Sequence, residues 1–279
     1  MSRWRFALTA RWAGYLGLVV VFAIVSCSLG VWQFQRRAEA HAEVVRIESN
    51  YDASPSPLAA VLPELDSFRQ SQKWTQVSVT GTYLVDEQLL VRTRPLSGNP
   101  GFEVLTPLQL PNGSVFVVDR GWVPVGNAQD APDQVPAAPS GEVTVIARLK
   151  AGEPALDGRT APAGQIATIE LDQIAALLGT PTYTGAYGLM ASESPAPAER
   201  PTALPKPPLD EGPHLSYAFQ WFVFALLAFF GLGWALRQEY RLVNSEDPAE
   251  QERAQERQRR KEAKLPSDAE VEDSILDGR

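Results

Sequence analysis

The chain has 279 residues, and its 25 Lys and Arg against 33 Asp and Glu give a net charge of −8, which argues against a nucleic-acid partner. A single cysteine excludes an internal disulfide. With only two histidines and no CxxC, HExxH, GxSxG, phosphate loop or dinucleotide fingerprint, the sequence offers no recognisable zinc or catalytic centre.

Residues 1–11 form a short tail with Arg3, Arg5 and Arg11, and residues 12–34, "WAGYLGLVVVFAIVSCSLGVWQF", are predicted to be a transmembrane helix fenced by Arg11 and by Arg36 and Arg37. At about 1.5 Å per residue such a run crosses the roughly 30 Å hydrocarbon core of a bilayer. It is longer than the apolar part of a cleavable signal, and the acid excess argues against a mitochondrial transit peptide. "IVSC" at residues 24–27 also fits a lipoprotein cleavage pattern. Because the apolar run continues through Val31 and Trp32, a thiol packed in a helix is the favoured reading of Cys27.

Residues 35–72 are expected to be a connector, helical from His41 and then irregular, with "SPSP" at 54–57 breaking any regular element. Residues 73–193 predict a β-rich α+β domain. "WTQVSVTGTYL" alternates Trp74, Gln76, Ser78 and Thr80 with Thr75, Val77 and Val79; "EQLLVRTR", "GFEVLTPLQL" and "SVFVVDRGWVP" follow at regular spacing. "PNG" at 111–113 is a hairpin signal, since Asn and Gly tolerate the positive φ of tight turns. "DRGWVP" is expected to end its strand and turn at Gly121, burying Trp122 and leaving Arg120 to pair with a carboxylate. After a Pro-rich break at 131–141 come a strand, "EVTVIARL", a helix, "IELDQIAALL", stopped by Gly179, and a last strand, "YTGAYGLM".

Residues 194–213 are too rich in proline to fold and should act as an extended spacer, most simply a passive tether. Residues 214–236 form the second predicted transmembrane helix, with no charged side chain from 215 to 236. Residues 237–279 are a charged tail: a solvated helix capped by Asp247 and Pro248, then an acidic end expected to be disordered. Arg3, Arg5 and Arg11 before the first span and Arg237 and Arg241 after the second predict cytoplasmic termini and an extracytoplasmic domain. A bacterial plasma membrane is the simplest location. On the second helix His214, Tyr217 and Trp221 fall within about 60° of one another, beside Ala218. Such a stripe suits either a cofactor or the ordinary aromatic belt of a membrane interface.

"LGVWQFQRR", "GTYL", "VRTRP", "GFEVLTPL", "VFVVDRGWVP", "EVTVIARL" and "HLSYAFQWFVFA" stand between and within the two spans in the order found in the Surf-one family, which the chain resembles from Leu29 to about Trp234. These surfeit-locus proteins assist assembly of haem-copper cytochrome c oxidase. The resemblance implies a non-catalytic assembly factor for an aa3-type oxidase, helping haem a reach subunit I, with subunit I, the bilayer and the haem a or haem o synthesising membrane enzymes as partners. It also implies His214 as ligand to the haem iron. Tyr217 and Trp221 would then flank the porphyrin, and Arg36 and Arg37 would pair with its propionates. Gln33 is expected to reach Gln220, with Trp32, Arg120 and Trp122 completing the partner contacts. A structural accessory subunit retained in the finished oxidase is the alternative, and a hydrolase lacks a nucleophile and base. The charged tail is not part of the family pattern.

Overall fold

The structure is a computed structural model that describes residues 4–127, 130–156 and 158–262. The acidic end expected after the tail helix lies outside these residues. The chain divides into two compact units, Ala40–Glu211 and the sequence on either side of it.

The flanking unit is helical. Helix α1 (Ala10–Asn50) contributes its first thirty residues to it, and α4 (His214–Val243) and α5 (Pro248–Glu262) supply the rest. Both α1 and α4 are long and apolar enough to cross a membrane. Leu18, Val21, Leu226 and Phe230 point outward from them, as a helix in lipid allows. Where the two helices meet, Ala23, Ser26 and Gly30 of α1 and Ala218 and Ala225 of α4 are buried. Small residues let helices approach closely, and a Cβ on Gly30 would lie 2.8 Å from the Phe222 ring. Helix α1 passes without a break through Cys27, whose side chain is exposed. At the start of α5 the Ala249 N–H donates to Asp247 Oδ1 at 3.0 Å, the cap that the sequence predicts.

The other unit is built on a closed barrel. Its elements are β1 (Ser56–Pro57), α2 (Leu58–Val61), β2 (Gln76–Tyr83), β3 (Leu89–Val91), β4 (Gly101–Gln109), β5 (Val115–Pro124), β6 (Glu142–Lys150), β7 (Gln165–Ile166), α3 (Leu171–Leu178) and β8 (Tyr187–Ser194). Hydrogen bonds connect β2, β6, β8, β5 and β4 in that order, and β4 returns to β2 through Tyr83 opposite Leu108. Closure leaves these five strands without a free edge along the ring. β3 and β7 extend the sheet beyond β4, and β1 lies parallel to the start of β2.

Val77, Val79 and Tyr83 of β2, Leu108 of β4, Phe116 and Val118 of β5, and Val143, Val145, Ala147 and Leu149 of β6 fill one core. Each such side chain removed from water contributes about 1.5–3 kcal/mol, offset by the entropy of ordering it. A second core lies on the opposite face of β5, where Leu171 and Ile174 of α3 cover Leu105, Val117 and Tyr187. Gly179 ends α3 at φ +63°, in the left-handed region that glycine adopts freely.

Three expectations change. Trp74 does not share a strand face with Gln76: its φ is +70°, its ring is buried with Ile47, Tyr51 and Leu189, and the strand begins two residues later. The connector is part of the folded unit, which spans Ala40–Glu211 rather than residues 73–193. Glu43 of α1 accepts hydrogen bonds from Trp74 Nε1 and Lys73 Nζ, and the Tyr51 carbonyl accepts from Gln76 and Arg148.

The third concerns the Pro-rich spacer, which lies on the domain as a strap. Thr202 exchanges two backbone hydrogen bonds of 2.8 Å with Trp122, and Leu204 packs on the Ile47, Tyr51, Trp74 and Leu189 cluster. Lys206 pairs with Asp52 at 2.6 Å over the Tyr51 ring, and Glu211 meets His41 Nδ1 at 2.6 Å.

Candidate functional site

Helix α4 begins at His214, and the Tyr217 N–H donates to the Pro213 carbonyl to close the first turn. His214 lies about 40° from the buried Ala218 around the helix, which turns its ring toward α1. Gln33 follows Gly30 by three residues on the same face of α1. The two side chains meet, His214 Nδ1 to Gln33 Oε1, at 2.9 Å. An amide oxygen only accepts, so in this contact Nδ1 donates, and in the neutral ring that leaves the lone pair on Nε2.

Gln33 thus reaches His214 and not Gln220. Gln220 lies about 200° around the helix from Ala218 and is exposed. Tyr217 is 48% exposed at the outer edge of the stripe, and Trp221 is half-buried, edge-on to Phe224 at 5.9 Å. Phe34 packs edge-on to Phe219 and tilted against Phe222, so aromatic rings from both helices line the seam below the histidine. Trp32 is 50% exposed. Arg36 is exposed and pairs with Glu39 at 2.7 Å, and Arg37 is half-buried.

The "RGWVP" stretch is interior structure: Trp122 is buried and Arg120 pairs with a carboxylate, as the sequence leads one to expect, and this burial corrects the further expectation that the two residues form a contact surface. β5 does not turn at Gly121 but runs through it with a bulge, at φ +128°. The Arg120 side chain is wholly buried and donates to Glu193 Oε1 at 3.0 Å and to the carbonyls of Pro136 and Ala137. Glu193 faces it because β8 carries one extra residue, Ala191, opposite β6, and this flips the alternation of the last residues inward. Gly121 is the surface on which the strap lies: a Cβ there would sit 2.6 Å from the Thr202 carbonyl oxygen. Trp122 is buried and donates its Nε1–H to the Arg94 carbonyl at 2.6 Å.

A second buried polar cluster was not anticipated. On the other face of β5, Asp119 is fully buried, with Oδ1 accepting the Gly121 N–H at 3.0 Å. Burial, reinforced by the nearby Glu103, pushes its carboxyl well above the usual range. Burial also raises Glu103, although Arg94 Nε lies 3.2 Å away. Glu153 is held low instead: its own burial is outweighed by the Arg94 hydrogen bond and the Ile169 N–H. Arg94 thereby ties β4 to the segment leading into α3. The available signal was charge inside two strongly apolar strands: Glu103 in "GFEVL", and Asp119 beside Arg120 in "FVVDR".

The family model described as the SURF1 family matches residues 20–226, which include α1 from Val20 onward, the whole barrel unit and His214. The chain belongs to the SURF1 family. A SURF1-like protein of Mycobacterium tuberculosis, described as uncharacterised, is 35% identical over 246 residues, covering 86% of this chain and 89% of that protein. A SURF1-like protein of Monosiga brevicollis is 29% identical over 133 residues, 44% of this chain and 49% of its own. The cytochrome oxidase assembly protein SHY1 of Saccharomyces cerevisiae is 28% identical over 110 residues, 39% of this chain and 28% of that protein.

Proposed function

We propose that this SURF1 family member is a non-catalytic assembly factor for cytochrome c oxidase, and that it holds haem a through His214 while the catalytic subunit matures. Family membership and the name of the yeast relative support the assembly role. The observation that carries the haem reading is the 2.9 Å hydrogen bond between His214 Nδ1 and Gln33 Oε1. Metal-binding imidazoles characteristically donate their second nitrogen to an oxygen acceptor, which fixes the tautomer and the ring. His214 Nε2 is then the nitrogen that would ligate iron. The donor set fits a haem: one oriented imidazole above aromatic and aliphatic side chains, with Arg36 near enough in sequence to exchange its exposed Glu39 partner for a propionate.

Haem a, when bound, would supply the redox-active iron of the oxidase; Gln33 would orient the His214 imidazole and the apolar residues of the two helices would shelter the group's hydrocarbon tail. On this reading the termini lie in the cytoplasm and the barrel unit outside a bacterial plasma membrane, which the Arg residues flanking the two spans support, and subunit I is the client.

The test is a pair of spectra. Reduced-minus-oxidised spectra of membranes lacking the protein should lose the a-type band while b- and c-type bands persist; unchanged bands with normal oxidase activity oppose the assembly role. Full-length protein purified from haem a producing membranes should carry haem that His214→Ala removes, and equal haem in the variant refutes the ligand. Stoichiometric copurification with active oxidase would favour a retained subunit instead.

A further inference from the structure

A cavity of about 630 Å³ opens where α4 leaves its apolar stretch, walled on one side by α4 and on the other by the tail helix α5. Arg237 and Arg241 enter it from α4, one turn apart, and Arg253 and Arg257 enter from α5 with the same spacing. Among the described residues the one carboxylate in its wall is Glu250, buried to 6% exposure, which accepts a hydrogen bond from Arg257 at 2.9 Å and pairs with Arg253 at 3.5 Å and so sets the two α5 guanidinium groups in place. Among the described residues no carboxylate pairs with Arg237 or Arg241. Four guanidinium groups against one carboxylate leave the cavity strongly cationic in a chain whose net charge is −8.

Its walls are amphiphilic in one direction. Gly233 and Leu236 belong to the uncharged run of α4 and line the cavity together with the arginines that follow them. Trp4 and Tyr240, stacked with ring centroids 4.5 Å apart, form an aromatic wall of the kind found at lipid headgroup level. A ligand that satisfies all these groups carries a phosphate at one end and hydrocarbon at the other.

We propose that this cavity binds the phosphodiester headgroup of an anionic phospholipid, with Arg237 and Arg241 as its principal contacts and α5 as a clamp. The family match stops at residue 226, so the site belongs to the part of this chain outside the family segment and gives the charged tail a task. It rests on α4 crossing the bilayer and is independent of haem.

The experiment is native mass spectrometry of the full-length protein in detergent, offered phosphatidylglycerol or phosphatidylcholine with the same acyl chains. The wild type should retain phosphatidylglycerol preferentially and lose the preference in high salt. Arg237→Gln with Arg241→Gln should weaken it on the order of thirtyfold, at about one basic contact's worth each. Arg259→Gln with Arg260→Gln, exposed on α5 and outside the cavity wall, should leave it unchanged. Equal retention of both lipids, or an equal loss in the two double variants, overturns the site. Displacement of the lipid by millimolar inorganic phosphate identifies a soluble phosphate as the ligand and also overturns the proposal.

Discussion

Gly121 satisfies two demands that no other residue meets. Its φ of +128° is a conformation L side chains avoid, and the strap carbonyl of Thr202 occupies the space a Cβ would take. Gly121→Ala should cost about 1–3 kcal/mol from backbone strain, with strap displacement added to it. Thermal unfolding of the full-length protein in detergent measures the loss. Next to it, Arg120→Ala leaves Glu193 buried without its cation, and we expect a loss of about 3–5 kcal/mol. Asp119 works in the opposite direction. Its native-state carboxyl is raised by burial above the unfolded value, so its protonated form is favoured and stability falls as pH rises from about that value upward. Asp119→Asn keeps an acceptor for the Gly121 N–H and removes the charge. It should raise the melting temperature at pH 8 and make little difference near pH 4; a variant equally stable to wild type at both pH values would contradict the assignment. At the helix seam, Gln33→Leu removes the acceptor that orients His214 and should lower haem affinity about 10–100-fold while leaving the barrel intact. Titration of the purified protein with haem reads this directly.

Among the elements, those with one face in water were the most legible. β6 alternates buried and partly exposed residues along its length, and α3 shows both its apolar spacing and its glycine stop. β4 and β5 are buried on both faces, one against the barrel core and the other against α3, so their sequences have no polar face to mark which residues point where. The bulges at Gly121 and Ala191 then decide that Arg120 and Glu193 face each other, a consequence of register that no local pattern reports. The candidate site was visible in part for the same reason: His214 announces itself as one of two histidines at the mouth of an apolar run, whereas its partner Gln33 depends on how two helices meet. The strap hid behind its composition. Prolines predict an extended chain, and an extended chain is what docks, but Thr202 supplies the N–H that the prolines lack. Thr202→Pro should free the strap, and limited proteolysis of the full-length protein would then cut between residues 195 and 211 sooner than in the wild type.

At the scale of the molecule, two membrane-competent helices flank the barrel unit in the sequence, and the order of strands in the ring differs from their order in the chain. β8, the last strand made, lies between β6 and β5 and touches both. Until residue 194 is present the barrel is an open sheet with two unpaired edges, and no disulfide holds it meanwhile. β8 continues directly into the strap, and the strap into His214. Time therefore enters the design: a nascent chain shuts its barrel only about twenty residues before it delivers the histidine. A chain stopped before β8 should be recovered as aggregate or degraded, whereas one stopped after residue 211 should yield a closed barrel unit, so emergence of the site is scheduled to follow completion of the fold.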